Sequence, residues 1–270
     1  MIATHRAMAH PFAIDGDNEG RALLECVLAS LVNPDGPRPE ASEFYELHAR
    51  GNHSQARRGG HLLYEGTLGM SMSHLMTAVN VAAIESVGQH PVVHAAVVVR
   101  DGVAIAIPGN PGAGKSTLCA ALVAHGYTYV SDETAPILDD GRVLVYPKPI
   151  VVGPGSFEVL AHLRSADKAR GQLDMWFLDP AALAGGIASS NPSLGAVVMP
   201  EYRPGAPVDV VRLTPGEMAA LLASNMFNLR LLGRPALELV ARLSAGLVGF
   251  RLIHGGVHGA VAAIDRLEIS

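Results

Sequence analysis

The chain has 270 residues and a formal net charge of −5, with 49% hydrophobic and 17% charged residues. This composition supports a large buried core and excludes a disordered chain. The acidic balance predicts neither a nucleic acid nor an anionic membrane as a partner. The two cysteines, Cys26 and Cys119, lack metal-ligand spacing and favour a reducing compartment. No apolar run suits a signal segment or a membrane span, so we expect a cytoplasmic protein.

Residues 1–70 are expected to form a smaller N-terminal subdomain. A helical pattern at 22–31 ends in the loop sequence NPDGPRP, and the stretch 43–58 is polar with weak periodicity. Residues 71–270 are expected to form the main domain. It is introduced by a helix near 70–87, where apolar residues recur at helical spacing.

The segment from residue 92 to residue 133 has the clearest pattern. Two β-branched runs, 92–99 and 103–107, flank a turn and predict two strands. A glycine-rich loop follows, then a helix over 115–125 and a strand over 127–130 that ends in acidic residues.

The rest of the chain alternates short strands and helices. A hairpin is predicted at 135–138 and 142–146, further strands at 196–199 and 208–213, and helices at 215–223, 235–248 and 259–267.

The glycine-rich loop GNPGAGKS matches the phosphate-binding pattern in which Gly109 and Gly114 flank four residues and Lys115 and Ser116 follow. Its glycines let backbone N–H groups curl around a phosphate, its lysine offsets phosphate charge, and its hydroxyl ligates Mg2+. Lysine occurs only three times in the chain, which makes a chance match rare. We therefore predict a site for ATP and Mg2+; no base-reading motif separates ATP from GTP. The predicted nucleotide-binding residues are Gly109, Asn110, Pro111, Gly112, Ala113, Gly114, Lys115, Ser116 and Thr117.

Three further candidate side chains lie on either side of this loop in the sequence. Asp132 and Glu133 end the next predicted strand, at the edge where open α/β sheets bind ligands. Such carboxylates can orient an acceptor hydroxyl or hold Mg2+, although a solvated turn would have the same composition. His94 lies in the strand before the loop strand, where a hydrogen-bonded core histidine is the structural alternative.

The string VVHAAVVVRDGVAIAIPGNPGAGKSTLCAALVAHGYTYVSDE resembles the catalytic core of HPr kinase/phosphorylase and its relatives. The resemblance covers about residues 92–135 and implies an α/β fold, a P-loop kinase core related to phosphoenolpyruvate carboxykinase. It implies that Asp132 accepts the seryl proton, that His94 supports Asp132, and that Glu133 lies near the metal. Lys115 and Ser116 would hold the nucleotide and Mg2+. Hexamers in that family imply self-association.

The chain also departs from that family. Thr117 stands where a glutamate follows the loop, the acidic pair is Asp-Glu instead of Asp-Asp, and the later Glu-x-Arg-Gly signature has no convincing match. The resemblance therefore does not extend to phosphorylase activity. Chains of this divergent type are similar to kinases of peptide natural-product clusters, including those that modify lasso-peptide precursors.

We therefore expect a kinase that transfers the γ-phosphoryl group of ATP to a serine of a peptide or small protein. Two alternatives stay open: a kinase for a hydroxylated small molecule, and a non-catalytic module whose nucleotide orders a partner surface.

Overall fold

The computed structural model describes residues 4–37, 39–51, 53–110, 112–164 and 173–269. The protein is of mixed α/β type, with sheets that contain parallel and antiparallel strands. Its residues group by contacts into two units, Met1–Ser86 with Lys148–Asp179, and Val87–Pro147 with Pro180–Ser270. In the described residues, no helix is both long and apolar enough to cross a bilayer.

Elements are numbered along the chain. The N-terminal elements are β1 (Thr4–Ala7), β2 (His10–Gly16), α1 (Asn18–Val27), β3 (Phe44–Arg50), β4 (His53–Arg58), β5 (His61–Gly66) and α2 (Leu68–Ser86). They are followed by β6 (Val92–Val93), β7 (Ala95–Arg100), β8 (Val103–Pro108), α3 (Lys115–Ala124), β9 (Thr128–Ser131), β10 (Ala135–Pro136), β11 (Ile150–Val152) and β12 (Trp176–Leu178). The last elements are β13 (Ser193–Tyr202), β14 (Asp209–Arg212), α4 (Pro215–Ser224), α5 (Leu229–Leu232), α6 (Arg234–Ser244), β15 (Val248–His254) and α7 (Val257–Ile264).

The first unit is built on a five-stranded sheet in the order β1-β2-β3-β4-β5, in which only the β2–β3 pair is parallel. Strand β3 alternates, with Tyr45, Leu47 and Ala49 buried between more exposed residues. Polar residues occupy the more exposed positions of this alternation, so the stretch 43–58 has few apolar residues and only weak periodicity in the sequence. Helix α2 packs on β3, β4 and β5, so the contacts place it in this unit, whereas the sequence suggested a division near residue 70.

A partly buried polar cluster joins β2 to β3 and β4 within this unit. His10 is 7% exposed, and its Nε2 lies 3.2 Å from Glu43 Oε2 and 3.3 Å from Tyr45 Oη. Arg58 donates a hydrogen bond to the same carboxylate at 3.1 Å. Burial lowers the pKa of His10 below its usual 6.5, although the charge of Glu43 opposes the shift. The histidine therefore resists protonation in the folded chain.

This pKa shift predicts a loss of stability in mild acid. Because the folded-state pKa of His10 lies below 6.5, the unfolded chain binds the proton more readily, and stability falls as pH drops below that value. We expect the urea midpoint to fall between pH 7.5 and pH 5.5, and His10→Gln to remove part of that fall. His61→Gln, at an exposed position, is the control. An unchanged pH dependence in His10→Gln would contradict this account.

The second unit is built on a six-stranded sheet in the order β14-β15-β13-β8-β7-β9. Strands β15, β13 and β8 are parallel, whereas β7 runs antiparallel to both β8 and β9. The apolar runs of β7 and β8 are buried almost throughout. This is typical of interior strands whose two faces are both covered by the protein. Val97, Ala106 and Val197 belong to its hydrophobic core.

This strand order brings three chain segments to one edge of the sheet. Strands β8 and β9 run in the same direction because each is antiparallel to β7, which lies between them. Ala95 at the start of β7 pairs with Pro108 at the end of β8, and Val97 pairs with Ser131 at the end of β9. Residues just before β7 and just after β8 and β9 therefore share this edge.

Local elements mostly match the sequence patterns, with some corrections. Helices α2, α3 and α4 and strands β8 and β9 are confirmed within a few residues. The single strand expected over 92–99 is split at His94, and the helix expected over 235–248 ends at Ser244. Val248 instead begins β15, which the sequence did not predict. Gly249 and Arg251 interrupt its apolar residues, so the segment lacks a continuous apolar run. The hairpin predicted at 135–138 and 142–146 is short: Ile137 and Val143 form an antiparallel bridge, and backbone hydrogen bonds from Leu138 to Arg142 and from Leu144 to Pro136 lie on either side of it. The first arm also pairs with β6 through β10.

Candidate functional site

The glycine-rich loop connects the end of β8 to the first turn of α3. Gly112 and Gly114 have φ angles of 83° and 82°, in the left-handed region that favours glycine. A Cβ at either position would meet nothing within 4 Å, so backbone conformation and not crowding requires these glycines. Ala113 donates its N–H to the carbonyl of Asn110 at 3.1 Å. Pro111, also predicted to bind nucleotide, lies outside the described residues.

The N-terminus of α3 suits an anion. The cap residue is Gly114, which has no side chain to satisfy the first amides, and the first turn carries no acidic residue. The opening N–H groups of a helix have no partners within the helix and carry a partial positive charge. An open loop in front of a ten-residue helix is an arrangement that can accept phosphate oxygens.

Lys115 is folded back over the loop that precedes it. Its side chain is buried, and Nζ donates to the carbonyls of Gly109 at 2.7 Å and Asn110 at 3.1 Å. Burial lowers the pKa of Lys115 below its ordinary value, and the charges of Asp132 and Glu133 act in the opposite direction. The ammonium is therefore held by neutral carbonyls that an anion could replace.

Asp132 follows β9 and reaches the first turn of α3. It is 2% exposed, and its Oδ1 accepts a hydrogen bond from Ser116 Oγ at 3.0 Å. The next residue differs: Glu133 is exposed and has a φ of 81°, which is uncommon for a residue with a side chain. The hydroxyl of Ser131 donates to the carbonyl of Thr134, closing the turn beneath them. The turn thus separates a buried carboxylate from an exposed one.

His94 occupies the break between β6 and β7 and is half-buried. Its backbone N–H donates to the carbonyl of Asn225 at 2.7 Å. Its ring centroid lies 5.1 Å from that of Phe227, with an angle of 37° between the ring planes. Because β7 lies between β8 and β9, His94 is at the same sheet edge as the glycine-rich loop and Asp132.

The oxygen atoms of Ser116 and Asp132 are ligands of the type that Mg2+ prefers. Within the described ranges, no group of three or more His, Cys, Asp or Glu side chains could hold a metal by itself. A Mg2+ ion here would therefore take its remaining ligands from phosphate and water, as is usual for this ion beside a nucleotide. Exposed Glu133 stays a predicted metal-side residue.

Sequence reasoning missed the segment beside His94. Asn225, Phe227 and Asn228 lie after α4, more than 130 positions from His94, in a stretch without a recognised motif. Only an unusual cluster of asparagine and phenylalanine, SNMFN, marks the segment in the sequence.

No protein-family model matches the chain, and no curated protein matches it. Among solved structures, the chain is similar to the Hpr(Ser) kinase/phosphatase from Coxiella burnetii, with 14% sequence identity and a TM-score of 0.33. The match covers 66% of this chain and 91% of that one.

Proposed function

We propose that the chain is an ATP-dependent kinase that transfers the γ-phosphoryl group to a serine hydroxyl of a peptide or small protein. One observation carries the proposal: buried Asp132 is hydrogen-bonded to Ser116, the residue that directly follows the loop lysine. A carboxylate and a lysine-bearing anion site then share one sheet edge, as phosphoryl transfer requires. The resemblance of residues 92–135 to HPr kinases supports the same reaction class.

Each residue has a role in this proposal. The loop amides and Lys115 bind the β- and γ-phosphates and offset their charge. Ser116 and Asp132 would present oxygens to Mg2+, with Glu133 as the further metal-side residue expected from the sequence, and the ion when bound neutralises charge developing on the phosphates. Asp132 also orients the serine hydroxyl and takes its proton. The serine oxygen forms a bond to the γ-phosphorus as the bond to the β-phosphate oxygen breaks, and ADP leaves.

Water must be kept from the γ-phosphate if transfer is to outcompete hydrolysis. Asp132, at 2% exposed, and Lys115, at 7%, are both withdrawn from solvent. Burial also strengthens the interaction of the lysine with phosphate, because less water screens the charges. These features favour a transferase over a simple nucleotide-regulated binding module.

A labelling experiment tests the proposal. The protein is incubated with γ-labelled ATP, Mg2+ and a set of serine peptides, with alanine-for-serine peptides and hydroxylated small molecules as comparison acceptors. We expect label on serine peptides only, and mass spectrometry should place it on the hydroxyl. Label confined to small molecules would overturn the peptide assignment. ATP binding by calorimetry without transfer to any acceptor would instead indicate the non-catalytic module.

A further inference from the structure

We propose that Phe227 is a positioning residue for His94 and that Asn228 holds Phe227 in place. The inference rests on the proposed function, since it concerns a histidine at the same sheet edge as Asp132. Three sets of contacts within the second unit carry it: backbone hydrogen bonds, the amide of Asn228 and the aromatic contact.

The backbone contacts form a short strand-like pairing around the break at His94. The N–H of His94 donates to the carbonyl of Asn225 at 2.7 Å, and the N–H of Phe227 donates to the carbonyl of Val92 at 2.8 Å. Val93 and Met226 form an antiparallel bridge between these two bonds. The segment after α4 therefore runs alongside the chain at His94, and their relative register is set by hydrogen bonds on both sides.

The Asn228 side chain joins the two segments a second time. It is 8% exposed, its Oδ1 accepts from the N–H of Val92 at 3.0 Å, and its Nδ2 donates to the carbonyls of His90 at 2.7 Å and Gly88 at 3.2 Å. These contacts use both the acceptor and the donors of a primary amide. Aspartate would lose the two donors, and alanine would leave buried backbone groups unpaired.

The aromatic contact is the consequence of these anchors. Phe227 is 47% exposed, yet part of its ring packs on His94 at 5.1 Å. The backbone hydrogen bond to Val92 and the three hydrogen bonds of Asn228 fix the Cα of Phe227 beside His94, so its ring can pack on the imidazole. It restricts rotation of the imidazole and keeps His94 presented to the sheet edge that holds Asp132.

The test compares Phe227→Leu, Phe227→Tyr and the control Leu231→Ala, which removes a side chain that is 77% exposed. We expect Phe227→Leu to lower kcat by about 10-fold or more, since a displaced His94 would no longer support Asp132 and small misplacements at the reacting centre cost at least this much. The KM values for ATP and peptide should change little. Phe227→Tyr should restore kcat, and Leu231→Ala should match the wild type. Urea midpoints show whether each variant is folded.

A double-mutant cycle separates positioning from general structural damage. In a His94→Ala background, Phe227→Leu should have no further effect on kcat, because the residue it positions is gone. Additive losses in the cycle, an unchanged kcat, or a raised peptide KM with normal kcat would each overturn the inference. In all of these outcomes the wild type still transfers phosphate, so the proposed function stands. Absence of transfer by the wild type would remove the proposed function, and the inference with it.

Discussion

Asp132→Asn is expected to reduce phosphoryl transfer by about 100- to 10,000-fold, the usual range for loss of a general base. The amide keeps the shape of the side chain, and its oxygen can still accept the hydrogen bond that Ser116 donates at 3.0 Å. It cannot take the proton of the acceptor serine. Since Lys115 and the glycine-rich loop are unchanged, and the amide oxygen can still face Mg2+, nucleotide affinity should change far less than kcat.

The measurement is the initial rate of peptide labelling beside ATP affinity by calorimetry. Asp139→Asn is the matched control, because the Asp139 carboxylate is 89% exposed and lies in the turn after β10. Glu133→Gln tests the exposed neighbour and separates the two members of the acidic pair. If Asp132→Asn transferred phosphate at the wild-type rate, the role proposed for Asp132 would be wrong.

Lys115→Met is expected to weaken ATP binding by about 100-fold, which corresponds to about 2.7 kcal/mol. Methionine has a similar length but no positive charge, so the phosphates lose the hydrogen bonds of a charged donor. Transfer should fall at least as strongly, because the same charge offsets the γ-phosphate during the reaction.

The same substitution should not destabilise the fold greatly. Burial lowers the pKa of Lys115, so the charged form is disfavoured in the folded chain relative to the unfolded one. Methionine removes that cost and leaves only carbonyls of an open loop without their donor. Arg234→Met is the control, since the Arg234 side chain is 87% exposed and pairs with Glu238 on α6. Wild-type ATP affinity in Lys115→Met, by calorimetry, would contradict the predicted role.

Short-range sequence patterns correctly predicted the order of the elements around the glycine-rich loop. The order strand, glycine-rich loop, helix and strand ending in carboxylates lies within 31 residues, Val103 to Glu133, and each step depends on local chemistry. Glycine permits the left-handed φ at Gly112 and Gly114, and β-branched runs favour strands. The sequence therefore indicated where the glycine-rich loop, the helix after it and the carboxylate after the next strand lie, and the structure has this order of elements.

Longer-range features needed the structure. The polar strands of the first sheet and β15 escaped detection, because strand formation depends on partners that the local sequence does not name. The order β8-β7-β9, which puts His94 between the loop strand and the carboxylate strand, is a property of pairing and not of spacing. The same is true of helix α2, whose packing on β4 and β5 groups it with the first unit.

By itself, the sequence determined the position of the glycine-rich loop of this protein and of the carboxylate that follows the next strand, because both depend on residue chemistry over a few positions. Only the tertiary structure decided that Asp132 is buried against Ser116 while Glu133 is exposed, since burial depends on the whole second unit. It also decided the partners of His94. Asn228 lies 136 positions from Val92, and no local pattern predicts a contact across that separation.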